Sequence, residues 1–131
     1  MRMLLDTDVL LDFAVGRDPH MNTSARLLEW ASLHSGQCAV AWHSLANIHY
    51  LTKGKSSEFL DDLLEFVVVP PTGTREMKHA LDLGFSDLED AMQAAAAALF
   101  KAQIIVTRNT KDFRKSPIGA VTPAEAVTLL R

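Results

Sequence analysis

The sequence predicts an α/β fold in which a parallel sheet is covered by helices on both faces. Two short apolar runs, Met3–Leu5 and Ile104–Val106, have the composition of buried strands and show no polar alternation. The segments between the apolar runs carry apolar residues at steps of three or four, which is typical of helices. Strands that alternate with helices form parallel sheets, because each parallel connection needs a crossover.

The individual elements follow from the same patterns and from the residues that end them. Strands are predicted over residues 3–5, 37–41, 66–69 and 104–106. One helix is predicted to begin near Asp8, and others cover residues 22–33, 44–52, 56–64, 74–83, 86–101 and 124–130. Ser86 and Glu89 have the spacing of a capping box, so the alanine-rich helix should begin at Ser86. Thr122 and Pro123 are typical of the start of the last helix.

The size and composition of the chain limit the possible classes of protein. Its 131 residues fit one domain, residues 1–131, which is large enough for a single core. The longest apolar runs are far shorter than the roughly 20 residues that span a bilayer, and the start of the chain lacks the apolar segment of a signal peptide. We therefore expect a cytoplasmic protein with no membrane partner. The one cysteine, Cys38, excludes an internal disulfide and a cysteine-based zinc site.

Acidic residues follow two predicted strands and begin one predicted helix. Asp6 ends the first strand, Asp87 and Asp90 lie at the start of helix 86–101, and Asp112 follows the last strand. The carboxyl ends of parallel strands meet at one edge of a sheet, where ligands bind. Carboxylates that converge there repel one another unless a cation is present, and oxygen ligands select Mg²⁺ or Mn²⁺. Acids at a helix start also have a purely structural explanation, which applies most to Asp87.

Basic residues cluster in the loop after the last predicted strand, although the formal net charge of the chain is −3. The negative total argues against nucleic-acid binding through an overall positive field. A local cluster can still bind phosphate groups, and here it consists of Arg108, Lys111, Arg114 and Lys115. A solvated surface loop is the other interpretation of such a cluster.

Three segments carry a resemblance to a known family. The sequence LLDTDVLLD at residues 4–12 resembles the opening LLDTNVLLD of PIN domains. The sequences DLEDA at residues 87–91 and IIVTRNTKDF at residues 104–113 resemble that family's third and fourth motifs in order and spacing. The resemblance covers essentially the whole chain and implies a three-layer α/β/α PIN-like fold with a mostly parallel sheet of four to five strands. It also implies a metal-dependent endoribonuclease, most often the VapC-like toxin of a bacterial type II toxin–antitoxin pair, with RNA as substrate and a homodimer and an antitoxin as partners.

The same resemblance assigns roles to individual residues. Asp6, Asp90 and Asp112 would be the catalytic acids that hold Mg²⁺ or Mn²⁺, with Asn109 at a position where the family often has Asp or Asn. Hydrogen bonds from two threonines, Thr7 and Thr107, would orient the carboxylates. The basic cluster would bind the RNA strand that is cut.

One position departs from the usual family pattern. The family commonly has Glu in the helix after the second strand, whereas this chain has Asn47, a feature that some branches of the family share. An amide can ligate a metal through its oxygen, but it removes one negative charge. We therefore expect a weaker metal affinity than a four-acid site would have, unless Asp87 compensates.

Two other functions stay open from the sequence alone. A PIN-like module that binds RNA or a protein without cutting is consistent with Asn47. A haloacid-dehalogenase-like phosphohydrolase is suggested by Asp6 and Asp8 after an apolar strand, where Asp6 would be a nucleophile and Asp8 a general acid. Against that class, Phe85 stands where its second acidic motif has Asp after the glycine.

Overall fold

Four parallel strands form the centre of the molecule. The computed structural model describes residues 1–130, in which the strands are β1 (Met3–Leu5), β2 (Cys38–Ala39), β3 (Ile104–Val106) and β4 (Ala120–Val121). They lie in the order β2, β1, β3, β4, and every pairing is parallel. In the central pair Leu5 lies opposite Val106, so the residues that follow, Asp6 and Thr107, begin side by side at the carboxyl edge.

Helices connect the strands, and each predicted helix is present with its ends shifted by a residue or two. They are α1 (Thr7–Ala14), α2 (Met21–Leu33), α3 (Trp42–Leu51), α4 (Ser57–Leu63), α5 (Thr74–Asp82), α6 (Leu88–Phe100) and α7 (Pro123–Leu129). A short 3-10 helix, Thr110–Phe113, follows β3 within the predicted charged loop. No helix in residues 1–130 has both the length and the hydropathy that a membrane crossing requires.

The two faces of the sheet bury different sets of side chains, which makes three layers. Leu5 and Met3 pack with α1 and α2, whereas Leu4, between them in sequence, packs with the alanines of α6. This division follows from the alternation of side chains along a strand. The small side chains of α6 let its backbone lie close to β1 and β3, and the first turn of α6 reaches the carboxyl edge of the sheet.

Three details of the sequence prediction are wrong. Residues 66–69 do not form a strand: Val68 makes an isolated parallel bridge to Ala39, and the prolines that follow lack the N–H groups that a longer ladder needs. Strand β4 was missed because its two residues are too short to give a pattern. The alanine-rich helix is capped by Asp87, whose Oδ1 accepts from the Glu89 backbone N at 2.8 Å, and not by Ser86.

Candidate active site at the carboxyl edge of the sheet

Asp6 occupies the junction between β1 and α1 and is held there by two hydrogen bonds. It is the N-cap of α1, and its Oδ1 accepts from the Thr7 backbone N at 2.7 Å. Its Oδ2 accepts from Thr107 Oγ1 at 2.8 Å, across the neighbouring strand. The residue is only 7% exposed, so both bonds lie in a medium of low dielectric. The carboxylate is therefore rigidly oriented at the strand end.

Asp8 is a second carboxylate at the same place, and the metal-site prediction did not include it. Its Oδ2 accepts from the Arg108 backbone N at 3.0 Å and from Asn109 Nδ2 at 3.3 Å. Its Oδ1 is buried and has no hydrogen-bond partner within residues 1–130. The spacing of Asp6 and Asp8 was the signal that could have found it, because both residues lie in the first turn that leaves β1.

The predicted acids lie close enough for the charge of one to change the pKa of another. Burial and then the charge of Asp8 raise the pKa of Asp6 to about 7, and Asp90 adds to the increase. Burial raises the pKa of Asp90 to about 6, with further contributions first from Asp87 and then from Asp112. Burial also raises the pKa of Asp8. Acids from β1, α6 and the loop after β3 therefore act on each other at one edge of the sheet.

These residues have the chemistry of a site for a hard divalent cation. Nowhere in residues 1–130 do three acidic, histidine or cysteine groups converge closely enough to form a complete metal site as they stand. The available donors are nevertheless carboxylate oxygens, including the unpaired and buried Asp8 Oδ1. Their raised pKa values show that negative charge is unfavourable here, and a cation would relieve it. The donor set thus fits Mg²⁺ or Mn²⁺ better than zinc.

The metal-free protein is expected to lose stability as the pH rises from about 4 to about 7. The folded protein keeps a proton on Asp6 to about pH 7, whereas the unfolded chain releases it near the usual pKa of 3.8. The contribution of Asp6 to this loss is on the order of 4 kcal/mol and is complete above its folded pKa, and the raised pKa values of Asp90 and Asp8 add to the loss. Urea denaturation across this range would measure it.

The matched variant for this prediction is Asp6→Asn, which should have a flatter pH dependence and keep only the part that Asp90 and Asp8 contribute. Mn²⁺ should stabilise the unmodified protein more at pH 8 than at pH 5, because the cation replaces the bound proton. Parallel pH curves for the two proteins would contradict the prediction.

The amide of Asn47 contacts α6 and binds an acid that the sequence prediction had treated only as a helix cap. Its Nδ2 donates to Glu89 Oε1 at 2.5 Å. Glu89 is exposed, and its charge is one of those that raise the pKa of Asp90. Asp87 is also exposed, but one of its oxygens caps α6. A negative charge therefore lies next to Asn47, although Asn47 itself has none.

A buried polar network connects Asp6 to α3 and α6. The Thr7 hydroxyl lies 2.8 Å from Ser44 Oγ, and Gln93 Nε2 donates to Ser44 Oγ at 2.7 Å and to Thr7 Oγ1 at 3.2 Å. Gln93 Nε2 also lies 3.4 Å from Nε2 of His43, whose pKa is lowered by burial. Thr7 thus orients Asp6 through its backbone N–H, while its side chain joins the helices. Ser44 and Gln93 gave no sequence signal.

The predicted basic cluster divides into two parts. The Arg108 guanidinium points to the buried Asp12, with Nε to Oδ2 at 2.7 Å and Nη2 to Oδ1 at 3.1 Å. The other three members, Lys111, Arg114 and Lys115, are exposed and line a cavity of about 360 Å³ together with Asp112. These three are the better placed to meet phosphate groups, and RNA binding by all four stays a prediction.

Comparisons with known proteins agree with this fold. A family model described as PIN domain matches residues 2–111. VapBC-1 from nontypeable Haemophilus influenzae is similar at a TM-score of 0.69 and 16% identity, over 95% of this chain and 99% of that chain.

Two further solved structures are similar over nearly their whole chains. VapBC2 from Rickettsia felis, bound to a DNA fragment from their promoter, has a TM-score of 0.66 at 18% identity, over 93% of this chain and 98% of that chain. A toxin–antitoxin complex from Klebsiella pneumoniae has a TM-score of 0.63 at 25% identity, over 92% of this chain and 97% of that chain. A search of the curated proteins found no match.

Proposed function

Because the chain belongs to the PIN domain family, we propose that it is a metal-dependent endoribonuclease and the toxin of a bacterial type II toxin–antitoxin pair. The observation that carries the proposal is the proximity of several acids at the carboxyl edge of the sheet: Asp8 and Asp90 raise the pKa of Asp6, and Asp8 and Asp112 raise that of Asp90. An uncompensated cluster of this kind costs stability, and a bound cation would offset that cost and could also attract a phosphodiester.

The residues of the site have separable tasks in this proposal. Asp6, Asp90 and Asp112 would hold Mg²⁺ or Mn²⁺, which when bound supplies charge stabilisation to the phosphodiester and makes a water molecule more acidic. Thr107 and the Thr7 backbone N–H fix the direction in which Asp6 presents its oxygens. Exposed lysine and arginine side chains beside Asp112 would bind and orient the RNA strand through its phosphates.

Cleavage of RNA by the purified protein tests this function directly. Structured and single-stranded RNA should be cut when Mn²⁺ is present and should stay intact when EDTA is added or when Asp90 is replaced by Asn. A PIN-like module that only binds RNA or protein is the second candidate, favoured by Asn47, and it predicts RNA binding without metal-dependent products. The family match removes the support for the phosphohydrolase alternative.

Glu89 is proposed to supply part of the negative charge that Asn47 lacks. Because Asn47 binds its carboxylate and its charge acts on Asp90, Glu89→Gln should weaken Mn²⁺ binding by about tenfold. Asp87→Asn keeps the side-chain oxygen that caps α6 and should weaken Mn²⁺ binding less. Isothermal titration with Mn²⁺ compares the two variants. A larger effect of Asp87→Asn would assign the compensation to Asp87 instead.

An antitoxin partner and a homodimer are part of the same proposal. The structures that this chain resembles include VapBC-1, VapBC2 and a Klebsiella pneumoniae toxin–antitoxin complex, over more than nine-tenths of each chain. Expression of the chain alone should arrest bacterial growth, and co-expression of a small DNA-binding protein from a neighbouring gene should relieve the arrest. Cells that express the Asp6→Asn variant should grow normally with or without the small protein.

A further inference from the structure

A cavity of about 440 Å³ lies beside the acidic site and has no role in the function proposed above. It is bounded by the start of α3, by α5 and the segment before it, and by one face of α6. Its floor is apolar and carries no charge, because it consists of Ala41, Met92, Ala95 and Ala96. Its rim includes the indole of Trp42, which is 74% exposed although it is one of the largest apolar side chains in the protein.

The cavity and the acidic site share a wall. His43 lines the cavity and lies 3.4 Å from Gln93 Nε2, and Gln93 donates to the hydroxyl of Thr7, whose backbone N binds Asp6. Met92, on the cavity floor, is three residues after Glu89 on α6 and so lies on the same side of that helix. A nucleotide bound at the acids would therefore have the cavity as its neighbour.

We propose that this cavity binds one unstacked base of the RNA next to the phosphodiester that is cut, with the Trp42 indole stacking on the base. The proposal rests on the ribonuclease function and names a part of its substrate site. Single-stranded RNA is commonly recognised by splayed bases that stack on aromatic side chains. A volume of about 440 Å³ also lies in the range of small-molecule sites.

The polarity of the cavity matches that of a base. A nucleobase is uncharged, with apolar faces and hydrogen-bonding edges, and the uncharged floor accepts such a face without desolvating an ion. The hydroxyls of Thr72 and Thr74 lie on the lining and make no hydrogen bond to the protein within residues 1–130, so they are free to meet a base edge. An apolar side chain of a partner protein would fit the floor but would make no hydrogen bond to these hydroxyls.

The cavity lining carries one acidic and one basic side chain, Glu76 and Lys78, and Lys78 can meet a backbone phosphate. The neighbouring carboxylates of Glu89 and Asp90 repel any anion, so a phosphate can bind beside them only together with a cation. With a cation on the acids, the same region would accept one phosphate and place the attached base toward Trp42.

The test uses the fluorescence of Trp42 and the affinity for short single-stranded RNA. The chain has two tryptophans, so Trp30→Phe leaves Trp42 as the reporter, and Asp6→Asn prevents cleavage while Mn²⁺ is present. Oligoadenylate, oligocytidylate and oligouridylate should quench this fluorescence. An abasic oligoribose phosphate of the same length should not, because it has the backbone without the bases.

Trp42→Ala should weaken binding of the best of these RNAs by about 5- to 150-fold, whereas the RNA affinity of Trp42→Phe should stay within about threefold of that of the parent protein. Neither variant should change the affinity for the abasic strand. Thermal unfolding of each variant checks that the fold is intact, which is expected because Trp42 is exposed.

Equal RNA affinity for Trp42→Ala and the parent protein, or an equal loss on the abasic strand, would overturn the base-binding proposal and leave the cavity to a protein side chain. In that case metal-dependent RNA cleavage by the unmodified protein would still support the ribonuclease function. Absence of both cleavage and RNA binding would overturn the two proposals together.

Discussion

Replacing Asp6 by Asn is expected to lower RNA cleavage at least about a thousandfold, because several kcal/mol of charge stabilisation depend on this carboxylate. Asp6 is the most rigidly held acid of the site, with a hydrogen bond to each oxygen and 7% exposure. Asparagine keeps its size and one acceptor but removes the charge. The measurement is the rate of RNA cleavage at saturating Mn²⁺, for variant and parent purified in the same way.

Asp61→Asn is the matched control for this experiment, since it removes one carboxylate from the exposed surface of α4. It should leave cleavage within about twofold of the parent, because exposed single charges contribute little. The Asp6→Asn protein should also be more resistant to urea than the parent at pH 8 without metal, because burial disfavours the Asp6 charge. Loss of cleavage together with a gain in stability excludes unfolding as the cause. Equal cleavage by Asp6→Asn and its parent would indicate a contaminating nuclease.

Replacing Asp12 by Ala is expected to cost about 3 kcal/mol of folding free energy, because it leaves the buried side of Arg108 without its partner. Asp12 is 0% exposed, and its two oxygens accept both bonds from the Arg108 guanidinium. Oδ1 also accepts from Arg17 Nη1 at 3.0 Å. The pairing connects α1 to the loop after β3, so its loss should also loosen the segment that carries Asn109 and Asp112. Urea denaturation at pH 7 measures the change.

Arg17→Met is the comparison for this substitution. The Arg17 side chain is 43% exposed, so its removal should cost less than about 1 kcal/mol, and Arg108→Met should cost clearly more. Arg108→Met also tests the predicted RNA role of that residue: lower stability with unchanged RNA affinity would make Arg108 structural. A loss below about 1 kcal/mol for Asp12→Ala would show that the buried pair contributes little to the fold.

Local patterns in the sequence were sufficient to predict most of the helices and strands, and to place the acids at the ends of those elements. The apolar run before Asp6, the periodicity of the helices and the alanines of α6 involve residues that are close in sequence. Backbone conformation and side-chain alternation depend mainly on such neighbours, which is why the helices and the two central strands were predicted. The two-residue strand β4 and the bridge at Val68 were not, because their pairing depends on distant backbone groups.

The tertiary structure alone decides which partners the polar side chains bind. Asn47 binds Glu89 at a sequence separation of 42 residues, and Arg108 binds Asp12 at a separation of 96 residues. No local sequence pattern could therefore have predicted either pair. The cavity beside Trp42 likewise depends on how closely α3, α5 and α6 approach one another. Asp6 was identifiable as a strand-end acid from sequence, but its burial and raised pKa arise from side chains that packing brings around it. Short-range preferences determine the elements, whereas long-range packing determines which charged groups meet.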